Sequence, residues 1–263
     1  MDRAKLRELL LDREQFTRLA SFFVEKAAEE AERAEPNSSF ARYLKTGLEI
    51  VIHETIPHVF ERAESPIETI FINSLVLDFI KADPLNLVVT STYSDAPGMI
   101  KEFREYNRTF KDFIKWYEDR RGHTNNIEVY LDEQMQAGRM DPTERHYLSK
   151  HLTYYHYLSL SNRFHLTLQA GMPDIKVYGK GIRADMLIWV PNEDRLGIVV
   201  ECDGFEHHSD KDAFVADRRR DRALRAAGYE VLRYSGSEIH KDPIAASSDL
   251  FDYLVRTRRN GAV

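Results

Sequence analysis

Gly197-Ile198-Val199-Val200-Glu201-Cys202-Asp203-Gly204 is an apolar run that ends in two carboxylates. Its β-branched residues suit a strand in a sheet interior, where both faces are covered. Side chains alternate across a strand, so Glu201 and Asp203 share one face while Cys202 takes the other. Two carboxylates that close repel once desolvated, unless a cation lies between them or one keeps its proton. Oxygen-only ligation suits Mg²⁺ or Mn²⁺. Gly204 then lets the chain turn away.

Upstream, Arg183-Ala184-Asp185-Met186-Leu187-Ile188-Trp189-Val190 is a second apolar strand with an acid near its start. If the two strands form an antiparallel hairpin through Pro191-Asn192-Glu193-Asp194, Asp185 arrives beside Glu201 and three carboxylates converge. A single acid at a strand end reads as a solvated cap; three placed by strand geometry read as a site. The literal Pro173-Asp174 pair is read as preceding a loop, away from the strand that pairs with Glu201.

From Asn162 onward the hydrophobic period is that of strands, with Phe164 to Leu168 alternating, two short apolar runs, a helical stretch over Asp212 to Ala227, a strand over Glu230 to Tyr234 and a closing helix over Ala245 to Arg256. The order β, β, β, α, β, α predicts an α/β fold, a compact mixed sheet flanked by helices. On the Asp212 to Ala227 helix, Ala213, Ala216, Ala223, Leu224 and Ala227 form one face that also holds Asp217 and Arg220. Arg218, Arg219, Arg222 and Arg225 take the opposite side, read as a solvated face with nucleic-acid contact as the lesser reading. Arg220, on the inner side, needs a partner, either Asp217 or a phosphate.

The first 160 residues read as mainly helical, with turns at residues 35–39, 63–66, 94–98 and 140–142. Asp12 with Gln15, Ser65 with Glu68 and Asp141 with Glu144 have capping-box spacing, and Pro66 and Pro142 sit at first helical positions. Leu85 to Tyr93 is the exception, a β-branched stretch that predicts a strand. The boundary near residue 160 is a change of composition without a linker, so the halves are expected to pack together.

Composition bounds the rest. The chain has 263 residues, 43% hydrophobic, without repeats or low-complexity tracts. The single cysteine excludes an intrachain disulfide and a cysteine-based zinc site. The charged start and the lack of a long apolar segment predict a soluble, cytoplasmic protein with no membrane contact. The net charge of −6 argues against a general nucleic-acid coat, yet from residue 151 onward cations and carboxylates balance at sixteen each. A neutral half that spends carboxylates on a metal carries surplus positive charge elsewhere, as a phosphate-backbone ligand requires.

The set Asp185, Glu201-Cys202-Asp203-Gly204-Phe205-Glu206-His207, Asp217 to Arg220, Leu224, Gly228 and Val231-Leu232-Arg233-Tyr234 resembles the PD-(D/E)xK nuclease superfamily, in the branch of endonuclease-like domains related to very-short-patch-repair endonucleases. The resemblance covers about residues 164–256, together with Ser65-Pro66-Ile67-Glu68 as the helix opening that core. It implies a restriction-endonuclease-like core over 164–256, an opening helix over 63–83, a mostly helical insertion over 84–163 and a helical N-terminal region over 1–62. It also implies that Asp185 and Glu201 bind the metal, that Asp203 stands in place of the superfamily's lysine, and that His207 lies beside the scissile phosphate, with His208 as its alternative. Glu68 would project toward the same centre, although its capping box alone explains a glutamate there. Gln169 matches a recurrent glutamine on the first core strand. With no lysine, water activation falls to the metal or to an imidazole.

The expected function is Mg²⁺- or Mn²⁺-dependent hydrolysis of nucleic-acid phosphodiesters, with DNA favoured, and with Arg220 and Lys211 neutralising developing charge. Two other readings stay open: a nuclease-like core without catalysis that binds nucleic acid or protein, and an RNA-cleaving toxin or defence effector. The helical region is a candidate surface for a protein partner or self-association. The histidines and tyrosines of residues 147–156 read as packing.

Overall fold

A computed structural model of the chain describes residues 2–35, 41, 44–45, 51–82, 86–90, 93–119, 127–146, 148–149, 163–191, 193, 195–204 and 211–261. These divide into two compact units, one of residues 1–96, 164–189 and 195–263, the other of residues 97–163 and 190–194.

The first unit is built on a five-stranded sheet in sequential order, β1 (Leu87–Thr90), β2 (Phe164–Val177), β3 (Lys180–Trp189), β4 (Ile198–Asp203) and β5 (Glu230–Ser235). The outer pairs β1/β2 and β4/β5 are parallel, while β2, β3 and β4 run antiparallel to one another. The mixed α/β content expected from the order of elements is therefore present. Within the stretch 85–93 expected as a strand, Leu87–Thr90 forms the sheet's edge strand. β2 and β3 run well past their apolar cores into a hairpin that the alternation of side chains alone does not reveal. Its turn places Tyr178 at φ 52° and Gly179 at φ 78°, both left-handed, the backbone of the two-residue turn whose twist matches that of the strands. Pro173 and Asp174 lie inside β2, where the pairing skips between Met172 and Lys176. That corrects the expectation of a loop after them: the bulge absorbs a proline that cannot donate to the ladder.

Helices cover both faces of this sheet. On the face of the even-numbered residues lies α4 (Pro66–Ala82), nearly all of it buried; its Phe71 ring meets Tyr234 at 4.8 Å and its Phe79 ring meets Phe164 at 5.5 Å. The last helix, α9 (Pro243–Gly261), packs on α4 through Phe251 against Phe79 and through Ser247 Oγ, which donates to Asp78 Oδ2 over 2.7 Å. The opposite face receives α7 (Lys211–Ala226), whose Leu224 is fully buried. A short helix, α8 (Gly236–Lys241), joins β5 to α9.

At the N-terminus, α1 (Arg3–Leu11) and α2 (Arg13–Ala34) belong to the same unit. Asn73 of α4 donates its amide to the Leu10 carbonyl at 2.7 Å, and Arg7 donates to the His240 carbonyl at 2.7 Å. A single π-helical turn over Val51–Thr55 leads into α3 (Ile56–Arg62). All three expected N-caps form, and Asp141 with Glu144 closes the full box, Glu144 Oε2 accepting from the Asp141 amide at 3.0 Å. Asp12 accepts from the Gln15 amide at 3.0 Å, Asp141 accepts from the Glu144 amide at 2.8 Å, and Ser65 accepts from the Glu68 amide at 3.2 Å.

The second unit contains α5 (Ala96–Asp119) and α6 (Ile127–Gln136) around a small core of Phe113, Tyr130 and Leu131, with Trp116, Met140 and Leu148 against it. Arg145 bridges Asp132 at 2.6 Å and Glu128 at 2.8 Å. Among the described residues, no helix of either unit is long and apolar enough to cross a membrane.

Candidate active site

The register of the sheet aligns four residues into one row. β3 and β4 pair Met186 with Val200, Leu187 with Val199 and Ile188 with Ile198; continued by one residue, that register sets Asp185 opposite Glu201. β2 and β3 pair Leu168 with Met186 and Ala170 with Ala184, so Gln169 stands level with Asp185. Across the parallel β4/β5 pair, Glu201 faces Arg233. Residues level with one another in regular strands point to the same face, and Asp185, Glu201 and Arg233 lie on the face that α7 covers, while Gln169, in left-handed backbone, reaches Glu68 of α4.

Each side chain in this row has an identifiable hold. The Cys202 amide donates to Asp185 Oδ2 at 2.8 Å. Arg220, one turn into α7 from Asp217, donates to Glu201 Oε1 at 2.8 Å and also to the Arg183 carbonyl. Sequence reasoning had offered Arg220 either Asp217 or a phosphate as its partner; the structure pairs it with Glu201, because the buried carboxylate on the sheet is closer to the helix's inner side than the half-exposed Asp217. Arg233 spans three acids, donating twice to Asp221 Oδ1, at 3.0 Å and 2.9 Å, once to Asp203 Oδ1, and lying 3.9 Å from Asp217.

The third carboxylate of the expected cluster, Asp203, accepts from Arg233, while its charge still raises both Asp185 and Glu201. Asp203 does share a face with Glu201, but β5 brings Arg233 level with Glu201, and its guanidinium forks toward Asp203 and the buried Asp221. Among the described residues, no group of three or more His, Cys, Asp and Glu side chains is arranged to hold a metal ion. Within the cluster, Asp185 and Glu201 are the two that stand level on neighbouring strands. Glu201 is 3% exposed; burial and the neighbouring Asp185 carboxylate push it up to about 8, with the Arg220 and Arg233 guanidiniums pulling the other way. Burial likewise raises Asp185 above the usual carboxylate range, opposed by the Cys202 amide and Arg220. Two neighbouring carboxylates whose proton affinity is raised by exclusion of water, and further by the charge of Asp185 on Glu201 and of Asp203 on both, are what a cation would relieve.

Glu68 approaches from the even side, at the first turn of α4. Its Oε1 accepts from Ser65 Oγ at 2.9 Å, and its Oε2 accepts from the Glu64 amide at 3.0 Å and from Gln169 Nε2 at 2.9 Å. Burial holds its carboxyl above the usual range, and the charge of Asp185 adds to that shift. The cap at Ser65 and the link to the site are thus two uses of one side chain. Gln169, which donates that link, sits at φ 50° inside a strand, a conformation that costs a non-glycine residue about 1 kcal/mol or more and that clusters at functional sites.

Residues 169–254 match the family model REase_MTES_1575, a restriction-endonuclease-like family. That stretch is a nuclease-like domain. It starts at Gln169, includes Asp185, Glu201, Asp203, Arg220 and Arg233, and leaves out Glu68. No curated protein and no solved structure matches the chain.

His207 and His208 lie outside the described residues, and although Lys211 begins α7, its side chain also lies outside them. Arg233 and Asp221 went unassigned in the sequence reading. A buried acid three residues from Leu224 on the helix's inner side was the available signal for Asp221, and its need for a cation would have pointed to Arg233 on the next strand. The inner face of α7 also ends earlier than expected: Leu224 is its last buried residue, and Ala227, past the helix end, is exposed. The four arginines expected to face outward, Arg218, Arg219, Arg222 and Arg225, are all exposed.

Proposed function

We propose that this chain is a metal-dependent nuclease that hydrolyses nucleic-acid phosphodiester bonds, with DNA as its substrate, in the manner of the PD-(D/E)xK endonucleases related to very-short-patch-repair enzymes. The observation that carries the reading is a pair of carboxylates, buried Glu201 and half-buried Asp185, set level on neighbouring strands of a restriction-endonuclease-like domain.

The donor set suits a hard divalent cation. Among the described residues, Asp185 keeps Oδ1 and Glu201 keeps Oε2 without a hydrogen-bond donor, so each carboxylate has one oxygen to offer. Mg²⁺ is commonly held by one or two carboxylates, with water and substrate phosphate completing its shell, which fits a pair better than a closed cage. Once bound, such an ion supplies Lewis-acid polarisation of a phosphoryl oxygen and a more acidic water. The chain's own contribution is positioning. The Cys202 amide orients Asp185, Arg220 orients Glu201 and places a positive charge where a phosphate would gather negative charge, and Glu68 with Gln169 pins the opening helix to the first long strand. The proton of the attacking water needs an acceptor, and His207, three positions after Gly204 in the sequence, is the residue proposed for that role.

A second reading has one observation in its favour. Arg220 sits directly on Glu201, and a guanidinium can replace a cation electrostatically in a core that binds without cutting. Supercoiled plasmid, single-stranded DNA and RNA incubated with the protein and Mg²⁺, Mn²⁺ or chelator separate the two readings. Metal-dependent cleavage that disappears in Glu201→Gln supports the nuclease, and its best substrate decides between DNA and RNA; no cleavage, together with no heat of Mn²⁺ binding by calorimetry, supports the silent core.

A further inference from the structure

The tip of the β2/β3 hairpin poses a problem that the acidic site does not answer. Tyr178 occupies the first left-handed position of the turn, at φ 52°, where Asn, Asp or Gly fit without strain, and it is 64% exposed. A large aromatic residue is thus kept in a disfavoured backbone conformation to hold its ring in solvent. Folding alone gains little from this, since an exposed ring buries little apolar area.

The ring's surroundings are cationic. The guanidinium of Arg219 lies over it at 4.8 Å, coupling the outer face of α7 to the hairpin tip. Arg222 stands one turn further along that face, and Lys176 and Lys180 flank the tyrosine on the two strands; all four are exposed. The carboxylates of this part of α7 point elsewhere, with Asp221 buried and Asp217 half-buried toward Arg233. On the hairpin beyond Met172, Asp174 is the one acid against Lys176, Lys180 and Arg183. Although the chain is acidic overall, it gathers positive charge around a single exposed aromatic ring.

We propose that Tyr178, Arg219, Arg222 and Lys176 form a binding surface for single-stranded nucleic acid, with an unpaired base stacked on Tyr178 and the flanking phosphates held by the two arginines and Lys176, which the register sets on the face of Asp185. Aromatic faces with nearby cations are the general means of holding single strands, because every base has a π-face and every link a phosphate. The surface adjoins the acidic site through α7 itself: Arg219 reaches the tyrosine, while its neighbour Arg220 reaches Glu201. On the hairpin, Lys176 is level with Gly181, which lies four residues before Asp185 on the same face of β3, a rise of about 13 Å, so a strand on this surface would need to run only a few nucleotides to reach the carboxylates. In this form the inference rests on the nuclease reading, but the surface can be tested without it.

The test uses the full chain in chelator, where binding is read without cleavage, and a fluorescent single-stranded oligonucleotide beside the same sequence as a duplex. Tyr178→Asn removes the ring while giving the turn a residue that suits it, so its Tm should equal or exceed that of the wild type. Its affinity for the single strand should fall by roughly tenfold, with a much smaller loss for the duplex. Arg219→Glu with Arg222→Glu should weaken binding at least as much and make the slope of log K against log salt shallower by about 1.4, the share of two single-strand phosphates. Unchanged single-strand affinity in both variants overturns the surface. Equal losses for single strand and duplex overturn the stacking role. If the wild type cleaves nothing with any metal yet both variants lose binding, the surface stands and the nuclease reading falls; if metal-dependent cleavage depends on Glu201 but neither variant alters binding, the reverse holds.

Discussion

Gln169 Nε2 donates to Glu68 Oε2 at 2.9 Å, a bond between buried side chains 101 positions apart in the chain. It joins the first turn of α4 to the strand that stands level with Asp185, and it is made by a residue in left-handed backbone at φ 50°. Replacing Gln169 with Ala keeps the strained backbone and loses the donor, so Glu68 retains only Ser65 and the Glu64 amide. The expected cost is about 1–2 kcal/mol in a denaturant titration, together with a loss of cleavage larger than the stability loss explains. Gln169→Gly, which relieves the backbone, should be less destabilised than Gln169→Ala. If the two are equal, the strained backbone contributes nothing.

Arg220 is the charge partner of Glu201 at 2.8 Å, and its guanidinium is three-quarters buried. Arg220→Ala leaves a buried carboxylate without its hydrogen-bonded cation, a change expected to cost about 2–3 kcal/mol. It should also tighten Mn²⁺ binding measured by calorimetry, because the guanidinium and a metal compete for the same carboxylate. Weaker Mn²⁺ binding in that variant would show that Arg220 assists the ion instead of displacing it.

Glu201, pushed up to about 8, makes the stability of the metal-free protein pH-dependent. The folded state binds more protons than the unfolded state between the ordinary glutamate range and pH 8, so the free energy of unfolding declines as pH rises through that window and levels off above it. Burial raises Asp185 and Glu68 too, which adds to the same slope. Denaturation midpoints in chelator at pH 5, 6, 7, 8 and 9 should fall for the wild type and fall less for Glu201→Gln, which mimics the protonated side chain. Excess Mg²⁺ should lessen the decline, since the ion favours the deprotonated pair. A flat wild-type profile would mean that Glu201 stays ionised throughout.

Arg233 holds Asp203 and the buried Asp221 at once, through three different nitrogens. Its loss in Arg233→Ala leaves a carboxylate whose side chain is only 6% exposed with Arg218 at 3.6 Å as its remaining ion pair, and a cost of about 3 kcal/mol is expected, the low end for broken buried pairs. Arg233→Lys should rescue little of it, because a single ammonium cannot reproduce the planar fork. Recovery of most of the stability in the lysine variant would mean that charge alone, not geometry, holds β5 to α7.

The apolar strands around Glu201 and Asp185, the three N-caps, the outward arginines of α7 and the alternation of strand and helix after Asn162 were all legible in the chain, because each depends on the spacing of neighbours within one element. Periodicity and capping are local, and local chemistry decides them. Which carboxylates meet, and which cations they meet, depends on strand register and on the approach of α7, and neither has a local signature. The parallel pairing of β4 with β5 places Arg233 level with Glu201 and gives Asp203 an arginine partner that spacing along the chain does not reveal. Likewise Gln169 and Glu68, far apart in the chain, and Tyr178 and Arg219, on separate elements, become partners only when the hairpin and the helices close on the sheet. Side-chain contact is a property of three dimensions, and the chain encodes it through packing as a whole.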